Sequence, residues 1–167
     1  MFFNAGGVGN LDIEFFVANS GGTTEYRVTN SFLGLVNNTG KQWTDFHFQL
    51  GFGIGASFVA SSPLDGLDFD TPDRDPTPTS SVFTNLIHQA QTLDWTGGVV
   101  PSIGTVRFDF AIDIPDNLQS ANPNGVNRFT LRQTPTIGAA ALSEPTTAAL
   151  LLPALVGMVS AARRRKA

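Results

Sequence analysis

The sequence predicts an all-β fold: an antiparallel two-sheet β-sandwich of jelly-roll-like type, followed by a single C-terminal transmembrane helix. Three observations lead there. Short runs of alternating apolar and polar residues recur through residues 1–134, separated by turns rich in Gly, Asn, Ser and Thr. Before residue 143, no segment carries the 3.6-residue apolar period of an amphipathic helix. Charged residues make up only 14% of the 167-residue chain while Phe occurs 14 times, a bias that suits a turn-rich β domain.

The elements follow in order. In Leu11-Asp12-Ile13-Glu14-Phe15-Phe16-Val17, the residues Leu11, Ile13, Phe15 and Val17 share one face. Residues 26–36 read as one long strand, or as two around Gly34, with Asn37-Asn38-Thr39-Gly40 as a hairpin turn. Next, Thr44, Phe46, Phe48, Leu50 and Phe52 alternate with Trp43, Asp45, His47 and Gln49, giving a buried face and a wet one. The clearest strand sets Val106, Phe108, Phe110, Ile112 and Ile114 against Arg107, Asp109, Ala111 and Asp113. Residues 126–133 give another, with Phe129 and Leu131 inward, and shorter candidates lie at 57–60, 81–88 and 91–95. Seven to nine short strands in about 130 residues fit two packed sheets better than a closed barrel. Residues 64–81 form one long irregular loop, and the sandwich domain is placed at 1–134. An Ala-rich, nearly uncharged spacer follows at 135–142, and a tail at 143–167.

That tail has a definite order. Ser143-Glu144-Pro145 leads into an apolar stretch interrupted by Pro153, Gly157 and Ser160, and Arg163, Arg164, Arg165 and Lys166 follow it. As a helix, 146–162 would run about 26 Å, slightly short of the roughly 30 Å hydrocarbon core. Pro153 would kink it. The basic stop 163–166 would stay in the cytoplasm, leaving the rest of the chain outside, and its long side chains can snorkel to relieve the mismatch. The tail resembles the PEP-CTERM sorting signal of exported bacterial proteins, with Ser143-Glu144-Pro145 in place of the usual Pro-Glu-Pro. The resemblance covers about 25 residues. It implies export, recognition and processing by an exosortase-type membrane protease, and release to the cell surface or an extracellular polysaccharide matrix. The body would then be a structural or adhesive matrix component. The segment from Asn37 to Phe46 also looks like one common in the bodies of such proteins. Proteins of this kind begin with a signal peptide, whereas Met1-Phe2-Phe3-Asn4 lacks a basic n-region and a Gly/Asn-rich stretch follows, so the true start is expected upstream.

Charge narrows the partners. Residues 1–144 carry fourteen acids against six cations, a net of −8, which makes the body a poor partner for nucleic acid. Cysteine is absent, so disulfides and thiolate metal sites are excluded. Asp65, Asp68, Asp70, Asp73 and Asp75 fall within eleven residues, and hard oxygen donors on a loop suit Ca²⁺. Counting from Asp68, the sixth position is not glycine and the twelfth is Thr79, so the spacing is not that of an EF-hand. The competing reading is a solvated loop whose aspartates make turns with Pro72 and Pro76.

On the wet face of the Trp43 strand, Trp43, Asp45, His47 and Gln49 could form a sugar-binding platform, the indole stacking on a pyranose. An alternative function is therefore a secreted carbohydrate-binding module, against the plainer reading that Trp43 caps the core edge. Asp109 and Asp113 lie about 13 Å apart on a strand, beyond either separation used in glycoside hydrolysis. Gly51-Phe52-Gly53-Ile54-Gly55-Ala56 has the letters of a dinucleotide fingerprint, but no helix follows. Gly55-Ala56-Ser57-Phe58-Val59 lacks the closing glycine of a nucleophile elbow, and His47 and His88 form no H-E-x-x-H. A hydrolase would need converging carboxylates or a His–Asp pair in a cleft. With no catalytic constellation, the chain is expected not to be an enzyme.

Overall fold

Two ten-residue strands with matching alternation set the architecture. The computed structural model describes residues 2–4, 9–18, 24–28 and 34–138. The strands are β1 (Phe2–Asn4), β2 (Leu11–Phe16), β3 (Thr24–Val28), β4 (Gly34–Asn38), β5 (Trp43–Phe52), β6 (Val59–Ala60), β7 (Thr79–Ser80), β8 (Asn85–His88), β9 (Thr92–Thr96), β10 (Thr105–Ile114) and β11 (Arg128–Ile137). The first sheet has the order β1-β4-β10-β3, with β7 also on β10. The second has the order β2-β11-β5-β9-β8, with β6 on β5. Every named pairing is antiparallel except β1 with β4, which is parallel.

The two sheets meet through the apolar faces of β5 and β10. Phe48 lies edge-on to Phe108 at 4.8 Å between ring centroids and 5.0 Å from Phe110, and Phe46 lies 5.1 Å from Phe108. Such tilted and edge-to-face contacts suit the ring quadrupoles and add to the burial of apolar area. Leu67 and Phe69 from the long loop and Leu118 from a one-turn helix, α1 (Leu118–Ala121), complete the core.

Several boundaries differ from expectation, each for a local reason. The 26–36 segment holds parts of two strands, β3 and β4, and β4 continues through Asn38, so the turn falls later, at Thr39-Gly40-Lys41. Asn37 is the cause. Its buried carboxamide accepts from the Thr39 amide (3.1 Å) and hydroxyl (2.6 Å) and donates to the Lys41 carbonyl (2.7 Å). The 57–60 candidate shrinks to β6 behind a 3₁₀ turn at Gly55–Ser57, and 81–88 shrinks to β8, with β7 lying just before it. β11 runs to Ile137, so the sheet extends three residues into the stretch expected to be a spacer. Neither β1 nor α1 was legible in the pattern. The sorting tripeptide 143–145, the apolar run 146–162 and the basic stop 163–166 lie outside the described residues.

Three connections gather at one end of the sandwich. Trp43 bridges Val100, the Gly138 amide donates to Gln42 O (3.1 Å), and the Ile103 amide donates to Asn37 O (2.6 Å). The 39–42 turn, the 97–104 loop and the end of β11 are thereby tied together. At the other end, about 30 Å away along β5, lie the acidic loop, α1 and the Asp68–Asp113 bridge.

Candidate functional site

The outward face of the β5 sheet is the surface that the sequence nominated, and it is built differently from expectation. Asp45, His47 and Gln49 do lie on it, partly exposed. Trp43 does not: it is 0% exposed, with its ring 5.7 Å from Phe46. The reversal comes from a β-bulge. Thr136 pairs with Asp45 but Ile137 pairs with Trp43, so Thr44 is the extra residue on β5. One inserted residue moves the preceding side chain to the opposite face. Trp95, the other indole, is 3% exposed. Neither tryptophan is available to stack on a sugar, so the expected platform is corrected to a face of hydroxyl, carboxylate, amide and imidazole groups.

His47 sits at the centre of that face. It pairs in register with Asp94 on β9 and Thr134 on β11. Its Nδ1 lies 2.8 Å from Asp94 Oδ1 and its Nε2 lies 3.0 Å from the Thr136 hydroxyl. With Asp94 ionised, Nδ1–H is the donor and Nε2 accepts the Thr136 proton. This order of hydroxyl, imidazole and carboxylate is the one that acyl-transfer enzymes use. The surroundings differ. The chain lies on an open sheet face, β9 and β11 take up the backbone groups of β5, and the Asp45 carboxylate stands on the residue opposite Thr136. An oxyanion developing there would meet a like charge instead of paired N–H donors. The arrangement orients a hydroxyl and fixes a tautomer. The signal in sequence was weak, because Asp94 lay in one of the shorter strand candidates and its register with His47 is a tertiary fact.

A second cluster holds the glycine-rich bend. Arg132 donates to Asp12 through Nε (2.7 Å) and Nη2 (2.8 Å), and Nη2 also reaches Gly55 O (2.9 Å). The Gly55 amide in turn donates to Asp12 (2.7 Å), and the guanidinium carbon lies 3.7 Å from the centroid of the Phe58 ring. The Arg132 guanidinium holds the Asp12 carboxyl below the usual carboxylate range. Gly51 is required beneath the ring, since an added Cβ would fall 2.4 Å from Val59 O and 2.5 Å from Phe58. The fingerprint-like glycines therefore serve a folded-back bend, as expected for a bulge or tight approach.

The acidic loop does not assemble a calcium site. Asp65 accepts from the Ser61 hydroxyl (2.7 Å) and from the Ser62 (2.7 Å) and Leu67 (3.1 Å) amides. Asp68 accepts from the Thr71 amide (2.9 Å), and Asp70 accepts from the Asp75 amide. Asp73 and Asp75 are exposed. Among the described residues, no group of three His, Asp or Glu is placed to hold a metal ion. The carboxylates of Asp65, Asp68 and Asp70 are spent on the loop's own turns and those of Asp73 and Asp75 face solvent, the competing reading of this loop. They act electrostatically on Asp113: burial pushes its pKa up to about 6, helped by Asp68, Asp70, Glu25 and Asp73. Nearby, the His88 Nε2–H donates to Phe69 O (2.6 Å), and burial lowers the pKa of that imidazole.

No family model, curated protein or solved structure matches the chain.

Proposed function

We propose that the protein is an exported, exosortase-sorted component of the cell surface or extracellular polysaccharide matrix, with a structural or adhesive role. A jelly-roll-like body would be carried on a single transmembrane helix until processing. The observation that carries this reading is the order of events after the last strand. β11 ends at Ile137, and Ser143-Glu144-Pro145 begins five residues after Gly138. The apolar run and four consecutive cations then follow. An apolar segment with cations on one flank holds the cations in the cytoplasm, so the body is carried on the outside.

Two features of the body support a non-catalytic role. Its histidine–carboxylate pair lies partly exposed on the outer sheet face, with a second carboxylate, Asp45, on the residue opposite Thr136. That same face offers Asp45, His47, Gln49, Asp94 and Thr136 as hydrogen-bonding groups on a rigid sheet, which suits contact with a hydroxyl-rich matrix. The carbohydrate-binding-module alternative depended on an exposed indole, and both indoles are buried.

The test is the mass of the mature chain. Expressed with a supplied signal peptide in an exosortase-bearing host, the extracellular form should end near Ser143–Thr146. Mature chains still ending at Ala167 would overturn the proposal.

A further inference from the structure

We propose that the end of the sandwich formed by the 39–42 turn and the 97–104 loop is a docking tip that seats on an anionic lipid surface while the tail is inserted. This rests on the membrane reading of the tail and adds an interface to it. Three independent observations place it there.

The first is where the chain leaves. Gly138 is tied to Gln42 at this end, and residues 139–145 span at most about 25 Å before the apolar run begins. An inserted tail therefore holds this end of the body nearest the point of insertion.

The second is Ile103, which is 78% exposed with φ at +68°. A β-branched residue in the left-handed region is a genuine outlier that persists only where its surroundings enforce it. Here they do. The Ile103 amide is bonded to Asn37 O (2.6 Å), and the Gly104 amide to Pro101 O (2.8 Å). The Asn37 carboxamide also donates to Val100 O (2.9 Å) and Pro101 O (3.1 Å). The loop is thus locked in a shape that points an isoleucine at solvent, beside Val99, which is 49% exposed. Isolated exposed apolar residues are ordinary; one presented by an enforced, strained turn is not.

The third is charge. Residues 36–44, 97–104 and 135–138 contain Lys41 and no carboxylate, with Asp45 adjoining them opposite Thr136, in a body whose net charge is −8. The opposite end carries Asp65, Asp68, Asp70, Asp73, Asp75, Asp113 and Asp116. This polarity turns the acidic end away from anionic headgroups and brings the one cation to them.

The absence of cysteine gives a direct experiment on the full chain. Ile103→Cys, Leu64→Cys and Val156→Cys are each labelled with an environment-sensitive fluorophore and reconstituted into vesicles of mixed zwitterionic and anionic lipid. Some vesicles also contain a shallow nitroxide-lipid quencher. Leu64 is 98% exposed at the acidic end and serves as the matched apolar control. The label at 103 should shift to the blue and lose about half its intensity or more to the quencher, the label at 64 should do neither, and Lys41→Glu should weaken quenching at 103. An unquenched 103 beside a membrane-buried 156 overturns the docking tip and leaves the tail reading standing. Equal quenching at 103 and 64 overturns it as non-specific adsorption. A 156 label that stays in water overturns the tail reading, and the docking tip falls with it.

Discussion

Ile137 pairs with Trp43 across the β5–β11 ladder, although its chain neighbour Thr136 pairs with Asp45. This offset decides which way the indole points and therefore what the outer face can recognise. It also depends on Gly138, where an added Cβ would fall 2.5 Å from Thr44 Cγ2 and 3.2 Å from the side-chain Nε2 of Gln42. Gly138→Ala should accordingly destabilise the fold by about 1–3 kcal/mol. Thr44→Ser, which removes the opposing methyl, should restore most of that loss. A double-mutant cycle in urea checks it: additive effects would mean that the contact does not set the bulge.

The bulge also marks the limit of what the sequence reveals. The alternation of β5 and β10 was plain because each strand buries one face against the other sheet, and a period of two is imposed along its length. Where the period breaks, the pattern misleads. Trp43 reads as the first wet residue of a perfect alternation, and the residue that breaks it, Thr44, is identifiable only against β11. The acidic loop misled for a related reason. Five aspartates look like ligands until the Ser61, Ser62, Leu67, Thr71 and Asp75 groups that satisfy three of them are seen. Asp12 and Arg132 were readable as wet-face residues of two strands, but their pairing needed the register of β2 with β11. The tail is the converse case, since its order of polar, apolar and basic residues is complete in the sequence alone.

Asn37 should be the most sensitive polar residue of the body. It is 0% exposed and ties the 39–42 turn to the 97–104 loop. Asn37→Ala leaves buried carbonyls and the Thr39 amide without that partner, a loss of about 2–4 kcal/mol on the usual cost of unsatisfied groups. Asn37→Asp keeps the acceptor for Thr39 but turns the donor toward the Lys41, Val100 and Pro101 carbonyls into another acceptor. It should be at least as damaging as alanine at neutral pH. Denaturant melts of the two variants decide this, and an aspartate variant close to wild type would refute the assigned orientation of the amide.

Arg132→Lys should be far from conservative. Lysine cannot reproduce the two-pronged bond to Asp12, nor the planar stack on Phe58. We expect a loss of about 1–2 kcal/mol, concentrated in the bend. Hydrogen exchange at the Gly55 amide, which donates to Asp12, should accelerate more than exchange in β10. Uniform acceleration across both would mean that the cluster does not hold the bend separately.

The two perturbed carboxylates pull the acid stability in opposite directions. Asp12 is more acidic in the folded chain than unfolded, because Arg132 binds its charged form. Its contribution is present above about pH 4, the unfolded value, and is lost as pH falls through the lower folded value. Asp113 has a folded pKa of about 6. Between about pH 4 and that value the folded state holds more protons than the unfolded one, so stability from this group falls as pH rises. Asp113→Asn removes the charge that burial and the surrounding acids disfavour. Relative to wild type, the variant should gain stability on going from pH 4 to pH 7, with the difference flat above that. Asp12→Asn should show the reverse, a deficit at pH 7 that shrinks toward pH 3. Melting temperatures of the three proteins across this range, at fixed ionic strength, test both signs together. An Asp113→Asn curve parallel to wild type throughout would mean that neither burial nor the acids Asp68, Asp70, Glu25 and Asp73 raise the Asp113 pKa in solution.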